Sequence, residues 1–416
     1  MKVGIVTTWF ERGAGVVSRQ IADALTSAGM EIFIYARGER YAVGDPKWDL
    51  PNVRWAKRLH WSGSGKIDRS DFDDWISSCK LEVIIFNEQR WWQPIIWAKD
   101  RGVTCGAYID YYTRESVSLF SIYDFLICNT QRHYEAFRWH PGASYVPWGT
   151  EVDLFKPRPK KNGRLRFFHS CGWDTARKGT DLVIAAFNQI RADVDAELII
   201  HSQIDLSGSI CEDDRITVKV GTVPAPGLYH LGDFYVYPSR LEGIGLTICE
   251  ALAVGLPVIT TDEGPMSEFV LPGRTGYLVP VARRFVRGDN YYWPMAEVSV
   301  PDLAAAMRRA CALSRSEVEM MQSAARGYAV ESRSWRENSK ALPAIVAGSM
   351  FSKPSVETVA SVNRFDYAGV KGKLDYLLEV PPLRAVGSAI FRIYREHRQP
   401  HIYAATSASP SARPVK

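Results

Sequence analysis

Two glutamates, Glu242 and Glu250, stand with seven residues between them inside the segment Pro238–Thr261. Carboxylates accept hydrogen bonds from vicinal hydroxyls, so a pair at this spacing suits a polyol. Between them, Gly243 and Gly245 let backbone approach a ligand with no Cβ in the way. The run Leu246–Val254 has the pattern of a short helix closed by Gly255, and a helix N-terminus beside a glycine loop offers unpaired N–H groups and partial positive charge to a phosphate. The amides of Gly245, Leu246 and Thr247 are the expected phosphate donors. One carboxylate in the loop and the other in the first turns of the helix suit a grip on a sugar and a ribose on either side of a diphosphate. The bland alternative is a surface helix whose glutamates are merely solvated.

A second group, Cys171–Thr180, follows an apolar strand and contains Arg177 and Lys178 before Gly179. Strand ends line the ligand crevice of open α/β sheets, and two adjacent cations there would neutralise a departing diphosphate. Two solvated charges before a helix are the competing reading. In the N-terminal half, Gly13-Ala14-Gly15 is a small-residue turn ahead of a helix, a weaker signal placed to bring backbone near the same diphosphate or an acceptor. Asp110, just past an apolar strand, reads either as an acceptor-facing acid/base or positioning group, or as a helix cap or turn former. Trp91, Trp92, Tyr111 and Tyr112 lie after strands, where they pack on a sugar ring or belong to the core.

The elements that position these groups form two tandem α/β units. Strands are expected at Lys2–Thr7, Glu31–Tyr35, Val83–Phe86, Val103–Ile109 and Phe125–Cys128, with a helix at Val16–Ala28 whose apolar residues share one stripe. After a linker rich in proline, lysine and glycine (Lys156–Gly163), strands recur at Leu165–His169, Glu197–His201, Ile216–Val218, Phe234–Tyr237 and Val258–Thr260. Helices are expected at Asp181–Arg191, Asp302–Leu313, Glu317–Ala329 and Trp335–Ala347, the third opened by a capping box of Ser314 and Glu317. The pattern is α/β, with two doubly wound domains.

The residues Glu242-Gly243, Gly245-Leu246, Glu250-Ala251, Gly255, Pro257-Val258, Gly264, Glu268, Gly273, Gly276 and Leu278-Val279 resemble, in register, the donor-site signature of the retaining family-four glycosyltransferases with the GT-B fold. Lys178-Gly179 fits the lysine-glycine pair of that family. The resemblance covers about four fifths of the chain by position and implies two Rossmann-like domains facing across a cleft. It places an acceptor-side domain at residues 1–150, a linker at 151–163, a nucleotide-sugar donor domain at 164–330 and a helix returning to the first domain at 331–350. The extension 351–416 lies beyond it. The implied activity is transfer of a sugar from a nucleotide-diphosphate sugar to a carbohydrate or lipid-linked acceptor with retention, in polysaccharide, glycolipid or glycoconjugate synthesis, with no obligatory metal and no other cofactor. This sequence departs from the family at Trp173, where many relatives carry arginine, and at Asp110, where they often have histidine. These departures keep open a catalytically silent nucleotide-sugar-binding protein; a nucleotide-sugar epimerase of the same fold is the other alternative.

Composition sets the remaining bounds. A chain of 416 residues that is 46% hydrophobic builds more than one sizeable core. The net charge of +5 favours anionic ligands without demanding nucleic acid, and no nucleic-acid motif is present. Seven scattered cysteines read as reduced core residues, which, with no signal-peptide pattern and no apolar run of spanning length, leads to the expectation of a cytoplasmic protein. In the extension, Leu383, Val386, Ile390 and Ile393 or Tyr394 share a helical face flanked by arginines, read either as docking on the protein's own domain or as peripheral contact with an anionic membrane. The end, Thr406–Lys416, is expected to be disordered. Asp193-Val194-Asp195 spells the D-x-D of metal-dependent glycosyltransferases of the other main fold, but it precedes a strand and reads as a solvated turn.

Overall fold

Runs such as Val83–Phe86 and Phe125–Cys128 carry no polar side chain, so strands built from them need cover on both faces, which parallel sheets between helical layers supply. The computed structural model describes residues 1–37, 42–57, 66–159, 163–206, 208 and 213–368. The first sheet holds β1 (Lys2–Thr8), β2 (Glu31–Arg37), β3 (Val53–Trp55), β4 (Val83–Phe86), β5 (Thr104–Ile109), β6 (Phe125–Cys128) and β7 (Ala143–Tyr145), ordered β3-β2-β1-β4-β5-β6-β7. The second holds β8 (Leu165–Gly172), β9 (Ala196–Ser202), β10 (Ile216–Val220), β11 (Phe234–Tyr237), β12 (Val258–Thr261) and β13 (Gly276–Val279), ordered β10-β9-β8-β11-β12-β13. All pairings within both sheets are parallel. Strand order reverses between β1 and β4 in one domain and between β8 and β11 in the other. Ligands of such sheets bind at these switch points, beyond the carboxyl ends of the strands.

A hairpin of β14 (Val281–Phe285) and β15 (Met295–Val298) extends the second domain before the helix Val300–Cys311. The helix Arg315–Ser332 opens on the expected capping box, with Ser314 and Glu317 each bonding the other's backbone. The chain then returns to the first domain. Thr150 and Ser334 form a parallel bridge, and the Trp148 and Trp335 rings lie 4.1 Å apart. The single helix expected at Trp335–Ala347 is instead broken into Trp335–Asn338, a 3₁₀ turn at Ser339–Ala341, and Leu342–Gly348. Pro343 is the reason: it has no N–H to donate one turn back, so it begins a helix rather than continuing one.

Trp91, Trp92 and Tyr112 are buried in the core of the first domain, 6%, 3% and 0% exposed, which places them with the core rather than on a ligand. Part of the extension docks on that domain. The helix Val356–Asp366 ends with Asp366 accepting from the Trp92 amide at 3.0 Å, while Gln93 donates to Asn363 at 2.9 Å. Leu383, Val386, Ile390, Ile393, Tyr394 and Thr406–Lys416 lie outside the described residues. Among the described residues, no helix is long and apolar enough to cross a membrane.

Candidate active site

The loops after β8 and β11 meet at the second switch point. Gly179 adopts a left-handed conformation, φ +71°, and a Cβ there would strike the Pro238 carbonyl oxygen, so only glycine lets the two loops touch. The Arg240 amide donates to the Arg177 carbonyl at 2.8 Å, and Ser239 Oγ to the same oxygen at 3.2 Å. Arg240 fixes the pair from behind. Its guanidinium reaches Asp181 at 2.7 Å and Glu297 of β15 at 2.6 Å.

Within this junction Arg177, Lys178 and Glu242 come together. Glu242, 8% exposed, accepts on Oε1 from Lys178 Nζ at 2.6 Å, Arg177 Nη1 at 3.0 Å, Ser239 Oγ at 2.6 Å and Tyr237 Oη at 2.8 Å. Every donor converges on one oxygen, leaving Oε2 without a protein partner among the described residues. Burial by itself would raise this carboxyl, but the charges of Lys178 and then Arg177 hold it down at about 2, so it is ionised. Arg177 Nε is braced by Asp174 at 2.9 Å. Lys178 is also hydrogen-bonded to Tyr237.

Gly245 caps the helix Leu246–Ala253 with φ +90°, a conformation that aims the chain into the first helical turn. The amides that open such a helix have no intrahelical acceptor. Leu246 and Thr247 are half-buried, with the Thr247 hydroxyl beside Tyr235 and Tyr237. Glu250, one turn further on and half-buried, accepts from Tyr229 Oη at 2.5 Å on Oε2. Burial raises its carboxyl above the ordinary range. Trp173, in the place where the resemblance expects an arginine, is 71% exposed.

Across the cleft, Gly13 and Gly15 open the helix Gly13–Ser27 beside the first switch point. A Cβ on Gly15 would overlap the Phe10 carbonyl oxygen, whereas one on Gly13 would meet nothing. Asn87 Nδ2 donates to the Ala14 carbonyl at 3.2 Å, and Thr8 Oγ1 to Glu88 at 3.1 Å, so this turn adjoins the end of β4. Asp110 lies at the end of β5. Burial, and then the neighbouring Glu88, push its carboxyl up to about 7, against the pull of Arg90. Gly13, Gly15 and Asp110 therefore share the rim of the first domain, while Arg177, Lys178 and Glu242 form a single cluster on the second.

Sequence reasoning missed the group that joins these rims. His133, fully buried at the start of the helix Gln131–Phe137, has Nε2 3.1 Å from the Gly243 carbonyl and Nδ1 2.9 Å from Tyr112 Oη. Trp293 Nε1, which can only donate, reaches Tyr112 Oη at 2.6 Å. Tyr112 therefore donates to Nδ1, and His133 carries its proton on Nε2 and donates to Gly243. Burial, then Arg132, holds this imidazole down at about 3, so it is neutral. Glu268 accepts from the Gln131 and Arg132 amides at 2.7 and 2.9 Å, tying the second domain to the same helix start. A lone histidine in QRHYEAF carries no local signal of a partner so distant in the chain. Asp193 and Asp195, by contrast, pair with Arg191 at 2.6 Å and Arg164 at 3.0 Å ahead of β9.

Residues 166–287 match the family model described as "Glycosyl transferases group 1". The matched stretch lies within the second domain and includes Arg177, Lys178, Glu242 and Glu250. The chain is similar to a GDP-mannose-dependent alpha-(1-6)-phosphatidylinositol monomannoside mannosyltransferase of Mycolicibacterium smegmatis, 26% identical over 245 residues, covering 52% of this chain and 59% of that protein. The chain spans about half the length of the curated relatives it matches. Among solved structures, sucrose-phosphate synthase from Thermosynechococcus elongatus superposes with a TM-score of 0.64 at 18% identity, covering 83% of this chain and 98% of that one. HepE of Anabaena in complex with UDP and glucose gives 0.63 at 14% identity, covering 84% and 100%. With two doubly wound domains and these superpositions, the architecture is the GT-B fold.

Proposed function

We propose that the chain is a retaining glycosyltransferase that moves mannose from GDP-mannose to an acceptor hydroxyl in glycolipid or polysaccharide synthesis. The observation that carries this reading is the Glu242–Arg177–Lys178 cluster at the switch point of the domain in which the group 1 glycosyltransferase match lies. The name of the mycobacterial relative supports mannose as the sugar and GDP as the carrier. A polyanionic leaving group needs fixed positive charge in a low-dielectric site, and preorganised donors there stabilise charge that develops as the bond breaks. Arg177, Lys178 and the amides of Gly245, Leu246 and Thr247 meet that requirement, so no metal is needed to screen the diphosphate.

In the reaction, the bond from the sugar C1 to the β-phosphate oxygen breaks, its electron pair leaving with the diphosphate. The acceptor oxygen bonds C1 from the same face. Glu242 Oε2, the oxygen its own cluster leaves open, receives a sugar hydroxyl and supports the developing positive charge; Glu250 takes the ribose hydroxyls. Asp110, ionised above about pH 7, orients the acceptor hydroxyl and takes up its proton. Gly13 and Gly15 bring backbone to the acceptor side of the diphosphate. A catalytically silent binding protein would hold the donor through the same residues. Incubation of the purified chain with GDP-mannose in excess chelator separates the two readings. Release of GDP and mannose, lost in Glu242→Ala, is the expected outcome; saturable binding without turnover on any acceptor contradicts the enzyme.

A further inference from the structure

The β14–β15 hairpin does more than extend its own domain. Its tip crosses to the loop that follows β5. Tyr291 pairs with Thr113 as an antiparallel bridge, the Tyr292 amide donates to the Tyr112 carbonyl at 2.9 Å, and Tyr291 Oη donates to the Asp110 main-chain oxygen at 3.1 Å. In return, Tyr111 Oη donates to the Asp289 carbonyl at 3.3 Å. The Tyr111 and Tyr291 rings stack at 5.4 Å and 25°, and the Arg90 guanidinium lies 3.8 Å from the Tyr111 ring centre. Tyr291 is 6% exposed although it sits at a hairpin tip. Residues 110–113 are thus held as a strand-like neighbour of a segment that belongs to the other domain. The root of the hairpin is anchored as firmly. Glu297 on β15 pairs with Arg240, which itself braces the loop carrying Arg177.

We propose that Tyr291 is a positioning residue through which the sugar-donor domain fixes Asp110, so that the acceptor side of the cleft is complete only while the hairpin tip is seated on it. This rests on the reading of Asp110 as the acceptor-side group. The mechanical path is short: from the loop bearing Arg177, through Arg240 and Glu297, along β15 and the segment that precedes it to Tyr291, and by one hydrogen bond to the Asp110 backbone. Around the Asp110 carboxyl stand Glu88 and Arg90 from the loop after β4, Arg37 from the end of β2, Tyr108 of β5, Tyr123 before β6, and Tyr291. Removing the Tyr291 ring admits water to this loop and lessens the burial that raises Asp110.

The test is direct titration of Asp110 in the full chain, by ¹³C NMR of aspartate-labelled protein with the resonance assigned through Asp110→Asn. In Tyr291→Ala the midpoint is expected to fall by about one pH unit toward the ordinary carboxylate range. Hydrogen exchange of Asp110–Thr113 is expected to quicken by about tenfold, with the rest of the first domain unchanged. Tyr291→Phe keeps the buried ring and loses only the hydroxyl. It should leave the midpoint in place and quicken exchange of the same four residues by a few-fold. An unmoved midpoint and unchanged exchange in Tyr291→Ala overturn the proposal; should that variant fail to fold, unchanged exchange in Tyr291→Phe does so. GDP-mannose binding, measured on the same samples, reports on the donor site alone, so its absence would count against the functional reading and not against the link from Tyr291 to Asp110.

Discussion

The two rims of the cleft are built on different principles. On the second domain, charged groups are collected and tightly satisfied: four donors surround one oxygen of Glu242, and the loops that carry them touch through Gly179. On the first, the groups are sparse, and Asp110 is held by a hairpin from across the cleft. On the proposed function, the diphosphate leaving group is the same whatever the acceptor, which suits the densely braced rim of the second domain. An acceptor-side group need be in place only when the domains are together, which suits a site assembled from both.

The largest predicted effect breaks the densely braced rim. Lys178→Ala leaves Glu242 with half of its cationic partners and removes a charge from the diphosphate site, so GDP-mannose turnover should drop by about 10²–10³-fold. Steady-state release of GDP measures it. Arg177, Ser239 and Tyr237 still face Glu242, so the loss of stability should stay below the ~3–5 kcal/mol of an uncompensated buried charge, with a lower melting temperature. If Lys178 were merely solvated, neither would move.

The other rim is broken by Asp110→Asn. Wild-type turnover should rise with pH through about 7 as Asp110 loses its proton. In the variant this limb should vanish and the remaining rate be lower by about 10²-fold. A limb that persists assigns the titration to another group.

The seam between the rims has its own pH signature. His133 is held neutral, with its folded-state value depressed to about 3. A depressed group contributes stability that is fully present above its unfolded value and is lost as pH falls toward the folded one. Stability should therefore decline below about pH 6.5, with a slope of up to about 1.4 kcal/mol per pH unit from this group. Urea unfolding of His133→Asn should show a lower plateau and a flatter slope over that window.

The smallest effect sharpens the comparison within a single turn. Gly15→Ala must displace the Phe10 carbonyl and should cost about 1–3 kcal/mol, as overpacking does. Gly13→Ala meets open space and should stay within about 0.5 kcal/mol of wild type. Thermal melts of the two variants provide the check.

Most of the scaffold was legible because its signals are local. Apolar runs such as Phe234–Tyr237 declare buried strands, Gly255 closes a helix and Pro257 admits the next strand, and Ser314 with Glu317 writes a helix start into four residues. The cluster of Arg177, Lys178 and Glu242 was also within reach, since both segments follow strands of the same sheet. The hairpin was not assigned. Its first strand, Val281–Phe285, carries two arginines and its burial is slight, so hydrophobic patterning says little, although Gly288-Asp289-Asn290 before Tyr291-Tyr292-Trp293 is a turn signal of the kind that precedes a returning strand. The role of His133 depends on Gly243, Tyr112 and Trp293, which lie in three other segments. Only tertiary structure brings those together. The break at Pro343 was readable, and the regular apolar spacing around it pointed the other way.

Glu242 is assigned to the sugar of an activated donor, and calorimetric titration of wild type and Glu242→Gln with GDP and with GDP-mannose, in chelator, tests that role most directly. Wild type should bind GDP-mannose more tightly than GDP. In Glu242→Gln, GDP binding should persist as a sign of an intact fold while the preference for GDP-mannose disappears, a loss of about tenfold or more for a charged hydrogen bond. An undiminished preference in that variant would contradict the assignment.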